Sequence, residues 1–575
     1  MKSNHEFSKI FKEFAELLEL KGEIPFKIIA YQKASASIDN LSEQVSDIYQ
    51  RGGVKALEQI EGIGEGIAEK IEEEIKHGKI KELESLRKKI PRSEIEFLKI
   101  PGVGPATAKV LYKKFGDIKI SELATKLSRE GLEILKPKSL KKILQGVEIY
   151  KNLGDRMMID EALTVAEPLV KFLKESCQAQ KAVAVGSLRR CKDTIGDIDI
   201  ICSSKNAQST IEEAQKYKGF EKILSKGNTK LTAMLENGKE VDIEILPEGK
   251  YGSLLLHFTG SKQHNVHLRS LAQKKGLSLS EHGIRNEETS KLILFPEEAD
   301  VYKYLGLDFI EPELREDRGE IEAAEKHILP NLVNLSDIKG DIHIHSTWSD
   351  GISTIKEIAI KAKKLNYQYI GIADHAANLK NHTESFRNLN TENFKKRLCE
   401  IEKTSEEEKI KIFNCAEVSI KPDGALELRD EDLKKFDLVI ASIHTVFDQP
   451  QAEVTRRLIK AIENPYVRII AHPAARKINK RPGISPAWQE IFKACKQNDV
   501  ALEINSFPIR LDLLDYLVLE AKKFQIKFFI STDAHSAKDL DLMKFGLTVA
   551  RRGWCEKKNI LNTLDLNELN RWLGR

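Results

Sequence analysis

The sequence predicts a multidomain protein with an all-α N-terminal region, an α+β middle and a C-terminal parallel α/β barrel. Three observations carry this reading. The 575 residues exceed what one hydrophobic core organises, so two to four domains are expected. Over residues 1–150, apolar positions recur at helical spacing, as in Phe7, Ile10, Phe11, Phe14, Leu17 and Leu18. After about residue 338, short apolar strands alternate with helices.

Composition excludes more than it selects. No apolar run approaches the ~20 residues that cross a bilayer, so no membrane partner is expected. MKSNHEFSKIFKEF carries acidic residues and no signal-peptide pattern. The seven cysteines are scattered without a C-x-x-C pair, which fits a reduced, cytoplasmic protein. A net charge of +4, with both signs interspersed, does not by itself point to nucleic acid.

The helical region contains an internal echo. IEGIGEGIAEKI (60–71) and IPGVGPATAKVL (100–111) each place a Gly-x-Gly turn before a helix. Gly62, Gly64, Gly102 and Gly104 permit a close approach to a ligand. The helix N-termini that follow offer free N–H groups suited to phosphate. Two copies favour a phosphate grip over ordinary helix-joining turns.

The middle region holds VGSLRRCKDTIGDIDIIC (185–202). On a strand, Asp197 and Asp199 share one face. Neighbouring carboxylates repel unless cations lie between them. Asp242 projects from one face of VDIEIL (241–246), opposite Val241, Ile243 and Ile245. Three aspartates on two strands suit Mg²⁺ or Mn²⁺ and a two-metal phosphoryl transfer. Upstream, Gly186 and Ser187 begin a turn, with Arg189 and Arg190 placed to bind phosphate oxygens.

The C-terminal region carries ligand-type residues after or within its apolar strands: DIHIHSTWSDG, IADH, CAEV, ASIH, AHP and STDAH. Strands of a parallel barrel point one way, so their C-terminal ends share a face. His343, His345, Asp350, His375, Glu417, His444, His472, Asp533 and His535 would converge there. Mixed imidazoles and carboxylates suit two or three ions of Mn²⁺, Fe²⁺ or Zn²⁺. Six of the seven histidines after residue 340 follow this pattern; His382, in a polar stretch, is expected at the surface.

These motifs resemble known families. GS-x-RR with GD-x-D is similar to the nucleotidyltransferase superfamily, and HFTGSKQHNVHLR (257–269) to the thumb of family X DNA polymerases. The Gly-x-Gly turns resemble helix-hairpin-helix motifs, and FKIIAYQKASASI (26–38) the 5′-phosphate helix of polymerase beta-like lyase domains. The C-terminal pattern resembles the polymerase and histidinol phosphatase (PHP) domain, a distorted (β/α)7-type barrel. This combination is similar to bacterial and archaeal family X polymerases.

The resemblance implies domains at 1–90 (helical, 8-kDa-like), 91–152 (helix-hairpin-helix fingers), 153–250 (nucleotidyltransferase palm), 251–318 (thumb), 319–337 (linker) and 338–575 (PHP). It implies that Asp197, Asp199 and Asp242 bind the catalytic metals and that Gly186, Ser187, Arg190 and Gly196 hold a triphosphate. His257, Phe258 and Gly260 would line the sugar, Asn265 would reach a base edge, and Arg269 the template. Lys27 and Tyr31 would meet a 5′-phosphate, with Lys70 at the Schiff-base position of a lyase; Glu69 and Glu72–Glu74 nearby would keep Lys70 protonated. Arg476, Arg481 and Arg510 are arginine candidates for the scissile phosphate. The pattern departs from the family at His257 (usually Tyr), Cys191 (usually Gly), Glu244 (commonly Arg) and Ser419 (often Asp).

The implied function is DNA-directed gap filling in repair, with a metal-dependent 3′–5′ exonuclease, and end-processing or abasic-site cleavage, in the PHP domain. The expected partners are gapped or nicked duplex DNA and deoxynucleoside triphosphates, and the expected state is a monomer. Three alternatives stand beside it: an end-processing nuclease whose polymerase is weak, a repair scaffold with structural metals, and a small-molecule phosphatase.

Overall fold

The structure, a computed structural model, describes residues 2 and 4–574 apart from 40, 42–43, 61, 99, 101, 154–155, 178, 237 and 377–390. His382 lies outside the described residues. The chain divides into two compact units, residues 1–154 with 479–481, and 155–478 with 482–575. None of the described helices is long and apolar enough to cross a membrane.

The described elements between residues 4 and 153 of the first unit are all helices. Its longest helix, Asn4–Lys21, buries Phe7, Phe11, Phe14, Leu17 and Leu18 on the face the spacing predicts. Gly22 ends it with φ 84°, its N–H closing on Leu18 O at 3.1 Å, a backbone that glycine adopts freely. The helices Glu65–His77 and Pro105–Phe115 follow the two Gly-x-Gly turns.

The second unit begins with a five-stranded sheet: β1 (Lys181–Ala184), β2 (Ile198–Ser203), β3 (Phe220–Lys226), β4 (Lys230–Leu235) and β5 (Glu240–Leu246), in the order β1-β2-β5-β4-β3. The helix Ile159–Ser176 packs on it through Ile159, Ala162, Ala166, Leu169 and Leu173. In β5, Val241, Ile243 and Ile245 are buried, while Asp242 and Glu244 alternate outward. Strands β2 and β5 run parallel, with Asp199 opposite Asp242.

Helices Tyr251–Thr259 and Lys262–Lys274 and three short antiparallel strands follow. Within the segment expected to link this region to the barrel, Glu320 is fully buried and meets His264 Nδ1 at 2.6 Å. Ile321, Ala324 and Leu332 join the core of the preceding subdomain.

The C-terminal barrel has seven parallel strands in sequential order: β6 (Gly340–Ile344), β7 (Tyr369–Ile372), β8 (Lys411–Ser419), β9 (Leu438–Ser442), β10 (Val467–Ile470), β11 (Ala501–Asn505) and β12 (Phe528–Ser531). Nearly every strand residue is buried, as expected where helices cover the sheet. At the top, His345 N donates to Ala534 O at 2.7 Å, joining the first strand to the last. Lower down, the side chain of Asn562 fills the same seam. Its Nδ2 donates to Gly340 O and Ile530 O at 2.9 Å, and its Oδ1 accepts from Ile530 N at 3.1 Å.

Asn562 therefore serves three buried backbone groups that no strand partner reaches. Replacing it with alanine leaves them unpaired, and Asn562→Ala is expected to cost about 2–4 kcal/mol, read as a lower melting midpoint of the intact protein.

Candidate active sites

In each Gly-x-Gly turn, one buried apolar side chain anchors an exposed backbone. Gly62 and Gly102 adopt φ 85° and 87°, Ile63 and Val103 point inward, and Gly64 and Gly104 stand exposed as helix N-caps. The turn bonds match, Ile63 N to Ile60 O and Val103 N to Ile100 O, both 3.0 Å. Two exposed helix N-termini of the same geometry result.

Tyr31 is buried against Phe14. Lys27 and Lys70 both pair with Glu82, at 3.1 and 2.8 Å. The acidic run beside Lys70 is engaged elsewhere: Glu72 with Tyr49 and Lys76, Glu73 with the N–H of Lys81, and Glu74 with Lys2. The carboxylate that pairs with Lys70 is thus Glu82, twelve positions away in sequence and adjacent only through the fold.

In the middle sheet, Asp197 stands exposed just before β2, while Asp199 and Asp242 sit side by side on β2 and β5. Burial first, then the charges of Asp197 and Asp242, push the Asp199 pKa up to about 6. That is the signature of carboxylates gathered without a cation. Lys230 partly supplies one, with its Nζ 2.8 Å from Asp242 Oδ2, and Thr232 Oγ1 donates to Asp242 Oδ1 at 2.6 Å. Lys230 also faces Glu244 across the β4–β5 pair. A cavity of about 420 Å³ opens here, lined by Arg156, Gly196, Asp197, Lys239, Glu240 and Asp242.

Gly186 adopts φ 62°, and a Cβ there would lie 2.9 Å from Asp199 Oδ2, so only glycine lets the turn come this close. Ser187 follows on the short helix Gly186–Arg189. The two arginines part ways. Arg189 is committed to Glu298, at 2.7 and 3.0 Å, as a bidentate pair. Arg190 contacts Thr259 O and Glu316, the latter at 3.0 Å, and lies against Gly260. Cys191 adopts φ 53°, the left-handed backbone that explains why glycine is usual there.

His257 meets Arg269 at 3.1 Å, and its ring lies tilted against Phe258 with centroids 5.3 Å apart. Asn265 Nδ2 donates to His257 O at 2.7 Å, while its buried Oδ1 has no partner.

The barrel brings all nine expected ligand-type residues together. Glu417 is central, with contacts to the imidazoles of His375, His444 and His472 at 3.0–3.1 Å and of His343 and His345 at 3.5 Å. Asp533 lies 3.2 Å from His345 and 3.6 Å from His343. Asp350 lies 3.3–3.5 Å from His345, His375 and His535. Burial opposes ionisation of Glu417, yet His444, His375 and His343 hold its pKa well below the usual carboxylate range.

Three overlapping groups of potential metal ligands result: His343–His345–Asp533, His345–Asp350–His375 and His375–Glu417–His444. His343 Nε2, both ring nitrogens of His345 and Asp350 Oδ1 are buried without hydrogen-bond partners. Buried polar atoms left unpaired are costly, so this donor set fits divalent ions.

Sequence reasoning gave no role to Glu503. It is fully buried on β11, accepts from His343 Nδ1 at 2.6 Å and from the N–H of His472 at 2.6 Å. It fixes the ring of His343, as carboxylates behind metal-binding histidines do. A charged residue inside the apolar strand VALEIN was the available signal. Asp374 similarly ties Ser346 and Ser349 to buried Arg397. Ser419 Oγ meets His444 Nδ1 at 3.0 Å.

Of the arginine candidates, Arg510 faces the cluster, 3.0 Å from Asp533 Oδ2. Arg476 does not: Asp193 and the carbonyls of Arg510 and Leu511 occupy its guanidinium. Arg481 belongs to the short stretch grouped with the helical unit.

Comparison with known proteins relates parts of the chain to described families. Residues 2–80 match a helix-hairpin-helix domain, 94–147 a SAM-like helix-hairpin-helix tandem, 254–316 the DNA polymerase beta thumb, and 341–507 the PHP domain. The chain is 35% identical over 573 residues, 99% of its length and 98% of the relative's, to DNA polymerase/3′-5′ exonuclease PolX of Bacillus subtilis (strain 168). It is 27% identical over 347 residues, 54% of this chain and 56% of the relative, to DNA polymerase lambda of Rattus norvegicus. A probable phosphatase of Thermoanaerobacter sp. (strain X514) is 30% identical over 246 residues, 40% of this chain and 93% of its own. A match this long, with the thumb and PHP regions in order, identifies the chain as a member of the PolX family, family X DNA polymerases that carry a C-terminal PHP domain.

Proposed function

We propose that this chain fills short gaps in duplex DNA from its middle sheet and removes nucleotides from 3′ ends in its barrel. The observation that carries the reading is the pair of carboxylate-centred clusters, on neighbouring strands in one subdomain and at one barrel end in the other. The proposed subdomain limits are those set out above from the sequence.

In the polymerase half, Asp197, Asp199 and Asp242 would hold Mg²⁺ or Mn²⁺. Such ions, when bound, neutralise the phosphates and stabilise the attacking and leaving oxygens. Asp242 would accept the proton of the primer 3′-hydroxyl. Gly186, Ser187, Arg190 and Gly196 would bind the triphosphate, with Arg190 exchanging Glu316 for phosphate oxygens. His257, Phe258 and Gly260 would line the sugar. Asn265 has an unpaired carbonyl oxygen to offer, and Arg269 would meet the template once it leaves His257. The exposed turns at Gly62–Gly64 and Gly102–Gly104 would hold the DNA backbone through phosphate contacts that carry no sequence information. Lys27 and Tyr31 would face a 5′-phosphate. Lys70, which pairs with Glu82, would stand at the Schiff-base position of a lyase.

In the barrel, the nine ligands would hold two or three ions, with Mn²⁺ or Zn²⁺ favoured by the imidazole-rich set. Arg510 would meet the scissile phosphate beside Asp533. The chain is proposed to act as a monomer.

The test is a labelled gapped duplex with Mn²⁺, with and without deoxynucleotides. Asp197→Ala is expected to lower primer extension at least about 10³-fold while 3′ shortening persists. His343→Ala should do the reverse. Loss of both activities in either variant, or of neither, would contradict the two-site reading. Because Lys230 competes for Asp242, Lys230→Ala is expected to lower the Mg²⁺ concentration for half-maximal extension about two- to fivefold, measured by metal titration.

A further inference from the structure

Two arginines join the segment after Gly186 to the barrel. Arg476 follows β10, and its side chain is 12% exposed. Its Nη1 donates to Asp193 Oδ2 at 2.9 Å, in the segment that runs from Arg190 to β2. Its Nε donates to Arg510 O at 2.7 Å and its Nη2 to Leu511 O at 2.5 Å. Asp512 completes the clamp by accepting from the backbone N–H groups of Ala474 and Arg476, at 3.0 and 3.3 Å. The loop held in this way presents Arg510 to Asp533.

A second strut leaves the same segment. Arg552, 3% exposed, donates to Arg190 O at 2.7 Å, to Glu316 Oε1 at 3.1 Å and to Asp515 Oδ2 at 2.6 Å. Glu316 Oε1 is also the partner of Arg190 Nε. A triphosphate that recruits Arg190 must therefore displace a carboxylate, Glu316, that Arg552 of the barrel also holds. The backbone that would yield is the stretch ending in Asp193.

We propose that Arg476 is a positioning residue for hydrolysis and that, through Asp193, it lets nucleotide bound at the middle sheet slow cleavage in the barrel. The proposal rests on the two-site reading above. Two of the three charge-assisted side-chain bonds of Arg476 go to the main chain of residues 510–511 and the third to Asp193, so losing Asp193 frees the guanidinium at one end and loosens the loop that aims Arg510. Small displacements of a positioning group carry large rate penalties. The coupling is a difference in free energy between two arrangements of one segment. It needs no new contact with the DNA.

The experiment measures hydrolysis of a labelled single-stranded 3′ end in Mn²⁺, with and without an α,β-imido deoxynucleoside triphosphate, which cannot be incorporated. In the wild type the analogue should reduce kcat. Arg476→Ala should lower kcat between about 10- and 100-fold with little change in KM, and with unchanged bound Mn²⁺ and melting midpoint. Asp193→Ala, at a half-exposed position, should lower kcat less and abolish the analogue's effect. Asp193→Asn keeps an acceptor for Arg476 and should restore most of the rate. The double variant should be no slower than Arg476→Ala. A wild-type kcat in Arg476→Ala, or an analogue effect that persists undiminished in Asp193→Ala, overturns the proposal and leaves the two-site reading standing. An inactive wild type overturns both.

Discussion

A carboxylate sealed from water is stable only if positive charge is brought to it, and Glu417 is such a group at the heart of the barrel cluster. Five imidazoles lie within 3.5 Å of its oxygens. Neutral imidazoles cannot discharge it, and charging them all would crowd cations together. Divalent ions resolve both problems at once. The surrounding architecture serves this arrangement. Glu503 orients His343 from behind, Ser419 bonds His444, and the Asp374–Arg397 pair secures the loop after β6.

The middle sheet obeys the same constraint in a more open form. Its three carboxylates share a partly exposed surface, so water and Lys230 moderate their repulsion. The parallel pairing of β2 with β5 aligns Asp199 with Asp242, and the glycine turn at Gly186 brings its backbone against Asp199. One site thus has a buried, imidazole-rich donor set and the other an accessible, oxygen-only set. This difference separates softer transition ions from Mg²⁺.

Much of this was legible in the sequence because the informative residues sit where secondary structure fixes their direction. The barrel ligands lie within or beyond the C-terminal ends of strands whose apolar runs are plain, and parallel strands leave them one place to meet. The side-by-side placement of Asp199 and Asp242 follows from a period of two on their strands, while Asp197 falls just before its strand. What was not legible depends on contacts distant in sequence. Glu72, Glu73 and Glu74 turn to other partners, while Glu82 arrives from the next helix to meet Lys70. Arg189 and Arg190 are adjacent and chemically identical, yet Glu298 claims the first. Arg476 reads as a phosphate ligand beside His472, but its partner Asp193 is 283 positions away.

The central claim is that the barrel's buried carboxylates and imidazoles are organised by divalent ions. Anomalous diffraction from crystals equilibrated with Mn²⁺ addresses it directly. The account predicts two or three strong peaks bounded by His343, His345, Asp350, His375, Glu417, His444, His472, Asp533 and His535, with Glu417 touching more than one. No peak among these residues at saturating Mn²⁺ would contradict it.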